Sequence, residues 1–555
     1  MSNILHTDVL IVGAGPVGLT LAMDLAGRGV QVTVAEIRHF GEPPNVKCNH
    51  VSARTMEQFR RLGVAQAVRD AGLPSDYPND VVFRTRMTGQ ELTRIPIPCR
   101  DNRYTETQGP DAWWPTPEPP HRINQLYLEP ILLRHTASLA GVTLLNRTQV
   151  TEFTQNEDGV QATLRHLDDD STRQVHARFM VGCDGGSSNV RKQIGAQLEG
   201  TAVIQRVQST FIRAPQLRSL LPGKPAWCYY SVNPDRCGTA FAIDGQETWL
   251  VHNHLNPDEL EFDSVDRDAS IRHILGVDQR FEYSVISKED WVGRRLVANK
   301  FRDRHVFIAG DAAHLWVPYA GYGMNAGIAD AIHLAWLLAA RLQGWGDAAI
   351  LDAYEAERQP ITEQVSNFAM DHAQKMIKAR RAVPANIEAQ DAPGAQAREE
   401  IGHEAYELNV QQFCCAGLNF GYYYSDSTLI LADGETPPPY TMGGFRPSTV
   451  PGCRAPHFWL HDGSSLYDAF GAGYTLLRFA PQADASPFMA QAKAQGLPVT
   501  LLDITPQDNP PEIYQHAWVL CRADQHVVWR GHQLPADLSD MVARLRGVAT
   551  QEVLA

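Results

Sequence analysis

A glycine-rich turn near the start of the chain limits the possible folds more than any other feature. The apolar run 7–12 is typical of a buried strand, and the residues after the turn carry apolar side chains at helical spacing. The glycines of such a turn allow a tight bend, the close approach of a pyrophosphate and the close packing of helix on strand. The turn residues are Gly13, Gly15, Pro16, Val17 and Gly18. They predict an α/β, Rossmann-like domain whose helix N-terminus binds phosphate groups.

An acidic residue follows the turn at the expected distance. A second strand is predicted over residues 30–36, and it ends in Glu36. A carboxylate about twenty residues beyond the turn is expected to bind ribose hydroxyls. Glu36 would repel a 2′-phosphate, which argues against NADP at this site. NAD and FAD stay open, as does a glycine turn that binds nothing. The chain has no second glycine turn of comparable quality.

A second glycine-containing segment lies about three hundred residues later. A strand predicted over 304–309 leads into Asp311, which would lie beside the first turn if both strands belong to one sheet. A carboxylate there can accept hydrogen bonds from ribityl hydroxyls. The backbone that follows can lie against a planar ring, and a helix start there would direct its N–H groups at a flavin pyrimidine. These following residues are Pro318, Gly323, Met324 and Asn325. The two motifs together predict FAD; a turn that merely joins strand to helix is the alternative.

Charge and cysteine content exclude several classes of protein. The net charge of −14 would repel nucleic-acid phosphates, so no nucleic-acid partner is expected. The nine cysteines are odd in number, contain no CxxC pair and show no metal-ligand spacing, which indicates reduced thiols of a cytoplasmic protein. The N-terminus leaves no room for a signal peptide, and no apolar run is long enough to span a membrane. We therefore expect no metal and no membrane partner.

Changes of pattern along the 555 residues predict several domains. Short β-like runs at 81–86 and 92–97, and again between 200 and 290, predict a β-sheet domain inserted into the dinucleotide-binding domain. A stretch rich in Lys, Arg, Ala, Pro, Gln and Glu resembles a mobile linker. The predicted segments are FAD-binding 1–79, 101–195 and 291–375, substrate domain 80–100 and 196–290, linker 376–400, and a C-terminal α/β domain 401–555.

These motifs resemble those of the class A flavoprotein monooxygenases, the single-component FAD-dependent aromatic hydroxylases. The resemblance covers most of residues 5–375, and three motifs occur in the right order: the two described above and Cys183-Asp184-Gly185. It implies that Asp184 serves both FAD and the nicotinamide coenzyme. It further implies that Arg54 and Gln125 contact the ribityl–phosphate chain, that Val150 lies near the adenine, and that Lys47 occupies a cofactor position where relatives often carry Arg.

The C-terminal part also resembles that family. Segments 451–457, 462–468 and 522–527 are similar to the thioredoxin-like domain of the phenol hydroxylase branch, which lacks a redox-active cysteine pair. The resemblance implies a structural role for this domain, often at a homodimer interface. The predicted fold is therefore α/β, with a Rossmann-like FAD-binding domain, an inserted β-sheet substrate domain and a thioredoxin-like C-terminal domain.

The resemblance implies hydroxylation of a small phenolic compound. NADH or NADPH would act as a transient co-substrate that reduces FAD, and O2 would form a C4a-hydroperoxyflavin that transfers oxygen to the ring. Removal of the phenol proton calls for a base. Asn49 stands where relatives often carry Asp or His facing the phenol, and asparagine cannot act as a base. Its neighbour His50 is the candidate, and Tyr229, His252 and His254 of the β-rich insertion are further candidates for substrate contact.

Two kinds of alternative stay open. On the same scaffold, a monooxygenase could act by epoxidation or Baeyer–Villiger-type oxidation on a non-phenolic or polyketide substrate. In a different class, the chain could be a redox-inactive flavin-binding module that serves in interactions. The identity of the substrate is not given by the residues. Four arginines could pair with an acidic substrate or be solvated strand residues: Arg84, Arg86, Arg206 and Arg213.

Overall fold

A computed structural model describes residues 4–548 of the chain. Its strands are β1 (Leu5–Val12), β2 (Val32–Ala35), β3 (Val81–Arg84), β4 (Glu91–Ile95), β5 (Val142–Leu145), β6 (Thr148–Gln155), β7 (Val160–His166), β8 (Thr172–Gly182), β9 (Leu198–Arg213), β10 (Cys228–Ser231), β11 (Gly238–Ala242), β12 (Thr248–His254), β13 (Ser284–Lys288), β14 (Trp291–Ala298), β15 (Arg302–Asp303), β16 (Val306–Ile308), β17 (His314–Trp316), β18 (Tyr474–Arg478), β19 (Val499–Asp503), β20 (Trp518–Cys521) and β21 (Val527–Gly531).

The helices follow the same chain order. They are α1 (Pro16–Gly27), α2 (Ala53–Arg61), α3 (Ala65–Arg69), α4 (Gln125–Ser138), α5 (Asn189–Gln193), α6 (Leu217–Leu220), α7 (Arg267–Leu275), α8 (Tyr322–Leu342), α9 (Ala353–Arg381), α10 (Ala392–Phe413), α11 (Ala416–Phe420), α12 (Ser486–Ala494) and α13 (Leu538–Leu545). Short 3-10 turns lie at Gly310–Ala312 and Tyr319–Gly321.

The first sheet has eight strands, in the order β15-β16-β8-β1-β2-β5, with β6 and β7 attached through β8. The pairings among β16, β8, β1, β2 and β5 are all parallel. Helices α1 and α8 pack against each other beside this sheet, and their buried apolar residues belong to the largest hydrophobic core. The predicted Rossmann-like domain is confirmed, including the strand and helix around the first glycine turn.

The second sheet has nine strands, in the order β17-β14-β9-β12-β11-β10-β3-β4, with β13 on β9. The strand pair predicted near residues 81–97 is confirmed as β3 and β4. Strand β14 also belongs to this sheet, although it lies beyond residue 290. Helix α7 covers one face, where the hydroxyl of Ser231 donates a hydrogen bond to the carbonyl of Ile274. We call the covered side the back face and the other side the front face.

The third sheet lies in the C-terminal part and has four strands, in the order β19-β18-β20-β21. Strand β18 pairs parallel with β19 and antiparallel with β20, and helices α12 and α13 pack together beside it. This α/β unit is compatible with the predicted thioredoxin-like domain. The range 376–400, predicted to be a linker, contains the end of α9 and the start of α10. The segment boundaries themselves stay predictions. Within residues 4–548, no helix is both long and apolar enough to cross a membrane.

Candidate functional site

Three loops meet at one edge of the first sheet. The last residues of β1, β8 and β16 are Val12, Gly182 and Ile308, and each is the register partner of its neighbour. Because the three strands are parallel, the loops after them leave the sheet at its carboxyl edge, where ligands bind in open α/β sheets. These loops carry the first glycine turn, the Asp184 motif and the Asp311 motif. The predicted convergence of the distant motifs is therefore observed.

Close packing joins the first motif to the second. A side chain placed on Gly310 would meet Val17 Cγ2 at 2.9 Å, and one on Gly327 of α8 would meet the same atom at 2.7 Å. A Cβ on Gly13 would come within 2.5 Å of the carbonyl oxygen of Cys183, which belongs to the third loop. Native Cβ atoms do not approach neighbours this closely, so glycine is required at all three positions.

The glycine turn fits the diphosphate of a dinucleotide. A Cβ on Gly15 would meet no atom within 4 Å, so the backbone there faces open space. Gly15 is also the N-cap of α1, no side chain caps the helix, and its first turn contains no acidic residue. Unpaired N–H groups and the helix dipole therefore face this space, which favours an anionic group. A Cβ on Gly18 would lie 2.0 Å from the carbonyl oxygen of Gly13, so glycine at this position allows α1 to pack close to the strand.

Glu36 lies beside this turn within a chain of charged groups. Its carboxylate accepts a 2.6 Å hydrogen bond from the N–H of Ala14, and Arg38 bridges it to Glu129 of α4. Burial opposes ionisation, but hydrogen bonds from the backbone and side chain of Arg38 lower the pKa of Glu36 below its ordinary value. Gln125, at the start of α4, donates to Glu129. Glu36 is thus held as a carboxylate next to the phosphate-binding turn.

The predicted position of Val150 agrees with this geometry. It lies in β6, and Thr148 of the same strand donates its backbone N–H to the carbonyl of Glu36 at 2.8 Å. Thr148 and Val150 are two positions apart in the strand, so their side chains lie on the same face. Val150 therefore lies close to Glu36, where the adenosine end of a dinucleotide is expected.

The second motif presents a carboxylate and an uncapped helix at the same edge. Asp311 is exposed in the 3-10 turn after β16. The surrounding protein raises its pKa by desolvation, and the charges of His314 and Lys47 oppose that shift. Lys47 itself forms an exposed ion pair with Glu289. Pro318 is exposed, whereas Gly323 and Met324 are half-buried in the first turn of α8, which no side chain caps.

Asn325 fixes this helix start to the segment around residue 50. Its side-chain oxygen accepts the N–H of Ser52 at 2.8 Å, and its amide donates to the carbonyls of His50 and Gly321. The side chain is buried and fully engaged, so it acts through the position of the backbone. Asn49, predicted to face substrate, accepts a 2.5 Å hydrogen bond from Asn124 at the N-cap of α4.

The contacts of two predicted cofactor ligands do not support that role. Arg54 is buried, and its guanidinium is engaged by Glu57, Gln525 and the carbonyl of Asp524. Asp184 accepts hydrogen bonds from the hydroxyl of Ser188 and from the first N–H groups of α5. Both side chains are used within the protein, so we do not carry them into the proposed FAD site.

His50 lies beside the second motif but in an unfavourable setting for a base. It is buried, and Arg122 donates a 2.5 Å hydrogen bond to its Nδ1. Burial and the positive charges of Arg122 and Arg103 lower the pKa of His50 well below its ordinary value. Arg122 lies over the ring of Trp227, 4.6 Å from its centroid. A neutral imidazole with one nitrogen already bonded is a weak acceptor for a phenol proton.

The register of the second sheet separates the remaining substrate candidates. Tyr229 pairs with Ala240 and packs against Trp249 on the buried back face, where its hydroxyl accepts the N–H of Ala226. This position argues against substrate contact by Tyr229. His252 points to the front face, half-buried between Phe241 and Trp291, and burial lowers its pKa to about 4. Successive strand residues face opposite sides, which decides between the two candidates.

A chain of hydrogen-bonded side chains leads from the second motif to the front face. It was not predicted from the sequence. Arg380 of α9 donates to the hydroxyl of Tyr319 at 3.3 Å, and that hydroxyl donates to Gln205 of β9 at 3.4 Å. Gln205 bonds His254, whose second nitrogen bonds Thr239. Tyr319 directly follows Pro318 in the sequence, and this was the available signal. Arg380 stands in the range predicted to be a linker, which hid it.

Comparisons with known proteins agree with this arrangement. A family model described as "FAD binding domain" matches residues 6–369, and one described as "Aromatic-ring hydroxylase, C-terminal" matches residues 448–549. The chain is 34% identical to the rebeccamycin biosynthetic enzyme RebC, solved with reduced flavin, with a TM-score of 0.88 over 98% of this chain and 99% of that one.

Several named relatives span nearly the whole chain. The FAD-dependent monooxygenase opdD of Penicillium oxalicum is 31% identical over 87% of this chain and 95% of its own length. A protein of Streptomyces halstedii named as a polyketide hydroxylase is 29% identical over 98% and 97%. Phenol 2-monooxygenase of a Pseudomonas species is 26% identical over 97% and 91%. The names of these relatives thus describe monooxygenases or hydroxylases, and two of the names state different substrates.

Proposed function

The chain belongs to the FAD-dependent aromatic-ring hydroxylases of the class A flavoprotein monooxygenases, and we propose that it hydroxylates a phenolic ring. NADH or NADPH is the reductant and O2 the oxidant in this proposal. A ring C–H, O2, the hydride of the coenzyme and one proton give a ring hydroxyl, water and oxidised coenzyme. The supporting observation is the meeting of three loops at one sheet edge, next to the front face of the second sheet.

The residues around this edge would hold FAD in named ways. The uncapped start of α1 at Gly15 would receive the diphosphate, and Glu36 would bind the adenosine ribose. Asp311 would accept hydrogen bonds from the ribityl chain, and the backbone from Pro318 to Met324 would lie against the ring system. When bound, FAD supplies the redox chemistry, taking a hydride from the coenzyme and delivering one oxygen atom of O2.

The protein itself would position the ring and exclude water. Phe241, His252 and Trp291 lie half-buried on the front face, with ring centroids 5.4 Å apart for Phe241 and His252 and 5.8 Å apart for His252 and Trp291. Such a surface suits an aromatic guest, because ring faces and edges attract each other at these separations. The N–H groups at the start of α8 would stabilise negative charge nearby. We assign no base to the phenol proton, since His50 and His252 both have lowered pKa values.

The first test is substrate-stimulated oxygen transfer by the purified holoenzyme. A panel of phenols and hydroxybenzoates is screened for faster oxidation of NADH or NADPH, and products are analysed by mass spectrometry after reaction under ¹⁸O2. We expect at least one compound to gain a single labelled oxygen atom. Asp311→Ala is the matched control, and it should lose FAD and turnover. Coenzyme oxidation that yields hydrogen peroxide alone for every compound would overturn the proposal.

A second candidate is oxidation of a polyketide by the same chemistry, including epoxidation or Baeyer–Villiger-type insertion. The relative from Streptomyces halstedii favours it, because its name describes a polyketide hydroxylase and it spans 98% of this chain. The same screen with polycyclic quinones and their hydroxylated forms separates the two candidates. Oxygen transfer to monocyclic phenols supports the first candidate, whereas transfer only to the polycyclic compounds, as a hydroxyl, an epoxide or an oxygen inserted next to a carbonyl, supports the second.

A further inference from the structure

Arg380 has no negatively charged partner in the described part of the chain. Among the described residues 4–548, no carboxylate forms an ion pair with its guanidinium, whose hydrogen bond goes to the hydroxyl of Tyr319. Of the four arginines that the sequence suggested for an acid, three differ in this respect, whereas Arg206 has no ion pair with a described residue either. Arg84, Arg86 and Arg213 pair with Glu91, Glu388 and Glu247, so their charge is already compensated.

The groups around Arg380 do not compensate its charge either. Burial raises the pKa of Tyr230 and Cys237, and lowers the pKa of His254 and His372, so all four stay neutral near pH 7. Lys375 of the same helix is a second cation near His372, and its charge lowers the pKa of His372, as that of Arg380 does. These neighbours therefore leave the charge of Arg380 uncompensated, although the whole chain has a net charge of −14.

Arg380 is connected by hydrogen bonds to the segment around Tyr319 and to the front face of the second sheet. Tyr319 belongs to the 3-10 turn that leads into α8, and its hydroxyl joins Arg380 to Gln205 of the second sheet. Gln205 in turn bonds His254 of β12, and His252 of the same strand lies half-buried beside Phe241 on the front face. A ring lying beside these residues would have an uncompensated guanidinium at its margin. Guanidinium groups bind carboxylates through two parallel hydrogen bonds, which adds strength and orientation.

We propose that the substrate is an aromatic acid, whose carboxylate is received by Arg380 and Tyr319 while its ring lies on the front face. The proposal rests on the proposed function for the place of the ring beside the cofactor. It adds the substrate class: an anion is required, and a neutral phenol of the same shape binds less well. Arg380 acts as a specificity-determining residue, because it pairs with the part of the substrate that does not react.

Equilibrium binding tests this assignment without turnover. Isothermal titration calorimetry of the holoenzyme compares salicylate with salicylamide, and 1-hydroxy-2-naphthoate with its amide. We expect each acid to bind about tenfold more tightly than its amide, or more, which corresponds to one charge-assisted pair. Arg380→Met should abolish the preference, and Tyr319→Phe should reduce it. Arg381→Met removes an adjacent, exposed arginine of α9 and should leave the preference unchanged.

The outcomes separate this proposal from the proposed function. Equal binding of acids and amides by the wild type, no measurable binding of either acid, or an unchanged preference in Arg380→Met overturns the assignment of an acid. Hydroxylation of neutral phenols would then still support the function. Conversely, a preference for acids that depends on Arg380, without oxygen transfer to any compound, supports the anion site and overturns the function. Flavin absorbance and apparent Tm confirm that each variant is folded and loaded.

Discussion

At the scale of single residues, the environment of His50 decides what this side chain can do. Its pKa lies well below the ordinary value because of burial and the neighbouring guanidinium groups of Arg122 and Arg103. It therefore stays neutral throughout the neutral range and gains no proton from a bound phenol. We expect His50→Gln to lower kcat/KM less than about tenfold and to leave the shape of the pH profile unchanged between about pH 6 and 8. The measurement is kcat/KM against pH for the best compound of the screen.

The lowered pKa of His50 also makes the stability of the folded protein depend on pH. Below about pH 6.5, His50 binds a proton in the unfolded chain but stays neutral in the folded chain. The contribution of His50 to the free energy of unfolding therefore decreases as the pH falls. The difference in apparent Tm between pH 7 and pH 5 should therefore narrow in His50→Gln. His403→Gln, an exposed histidine of α10, is the control and should change neither property. A neutral-range pKa that is present in the wild type and lost in His50→Gln would restore the base assignment.

Positions at the sheet edge were predictable where the local sequence determines them, and the roles of these residues toward FAD stay predictions. Glu36 directly follows β2 and Asp311 lies three residues after β16, so the strand direction alone places them at the carboxyl edge. Arg54 could not be placed in this way, because its partners Asp524 and Gln525 lie about 470 residues further along the chain. Arg380 was missed for a similar reason, since Tyr319 and the front face become its neighbours only in the folded protein.

At the scale of elements, the contact between α1 and α8 holds the two motifs together. A methyl group on Gly327 of α8 would lie 2.7 Å from Val17 Cγ2 and 2.8 Å from the Cα of Gly310. Relief requires the helix to move away from the glycine turn. We expect Gly327→Ala to destabilise the protein by about 1–3 kcal/mol and to weaken FAD retention. The measurements are apparent Tm and the ratio of flavin to protein absorbance after gel filtration.

A second glycine supplies the control for this experiment. Gly27 ends α1, and a Cβ there would meet no atom within 4 Å. Gly27→Ala should therefore be neutral or stabilise the protein by up to about 1 kcal/mol through the unfolded chain. Full FAD occupancy and an unchanged Tm in Gly327→Ala would show that the two motifs do not depend on this contact.

Elements were predictable where the residue pattern repeats at a single period. Strand β1 and helix α1 have clear periods, and both were predicted. Strand β9 was recognised only in fragments, because its first half is exposed and its second half is buried. It pairs with β12, β13 and β14, whose paired residues lie about 35 to 100 positions later in the chain. The part of α10 up to residue 400 was predicted as linker, since residues such as Ala, Gln and Glu favour helices as well as solvent.

At the scale of the whole molecule, buried ion pairs join the C-terminal part to the FAD-binding part. Arg522, at the end of β20, is completely buried and binds both oxygens of Glu357 in α9 at 2.8 and 2.6 Å. It also binds Asp524 and lies over the ring of Trp336 in α8, 5.2 Å from its centroid. Since α8 begins in the cofactor segment, this junction relates the C-terminal part to the cofactor site.

Removal of this arginine should loosen the junction. Arg522→Met removes the guanidinium that compensates Glu357 and Asp524 and leaves the imidazole of His333 as the group in contact with both, and we expect a loss of about 3–5 kcal/mol. Apparent Tm should fall by several degrees, FAD retention should weaken, and protease should cleave between α11 and β18 more readily. Arg478→Met, which breaks a more exposed pair with Asp503 on the same sheet, should cost at most about 1 kcal/mol. Equal effects of the two substitutions would show that the C-terminal part does not support the cofactor site through Arg522.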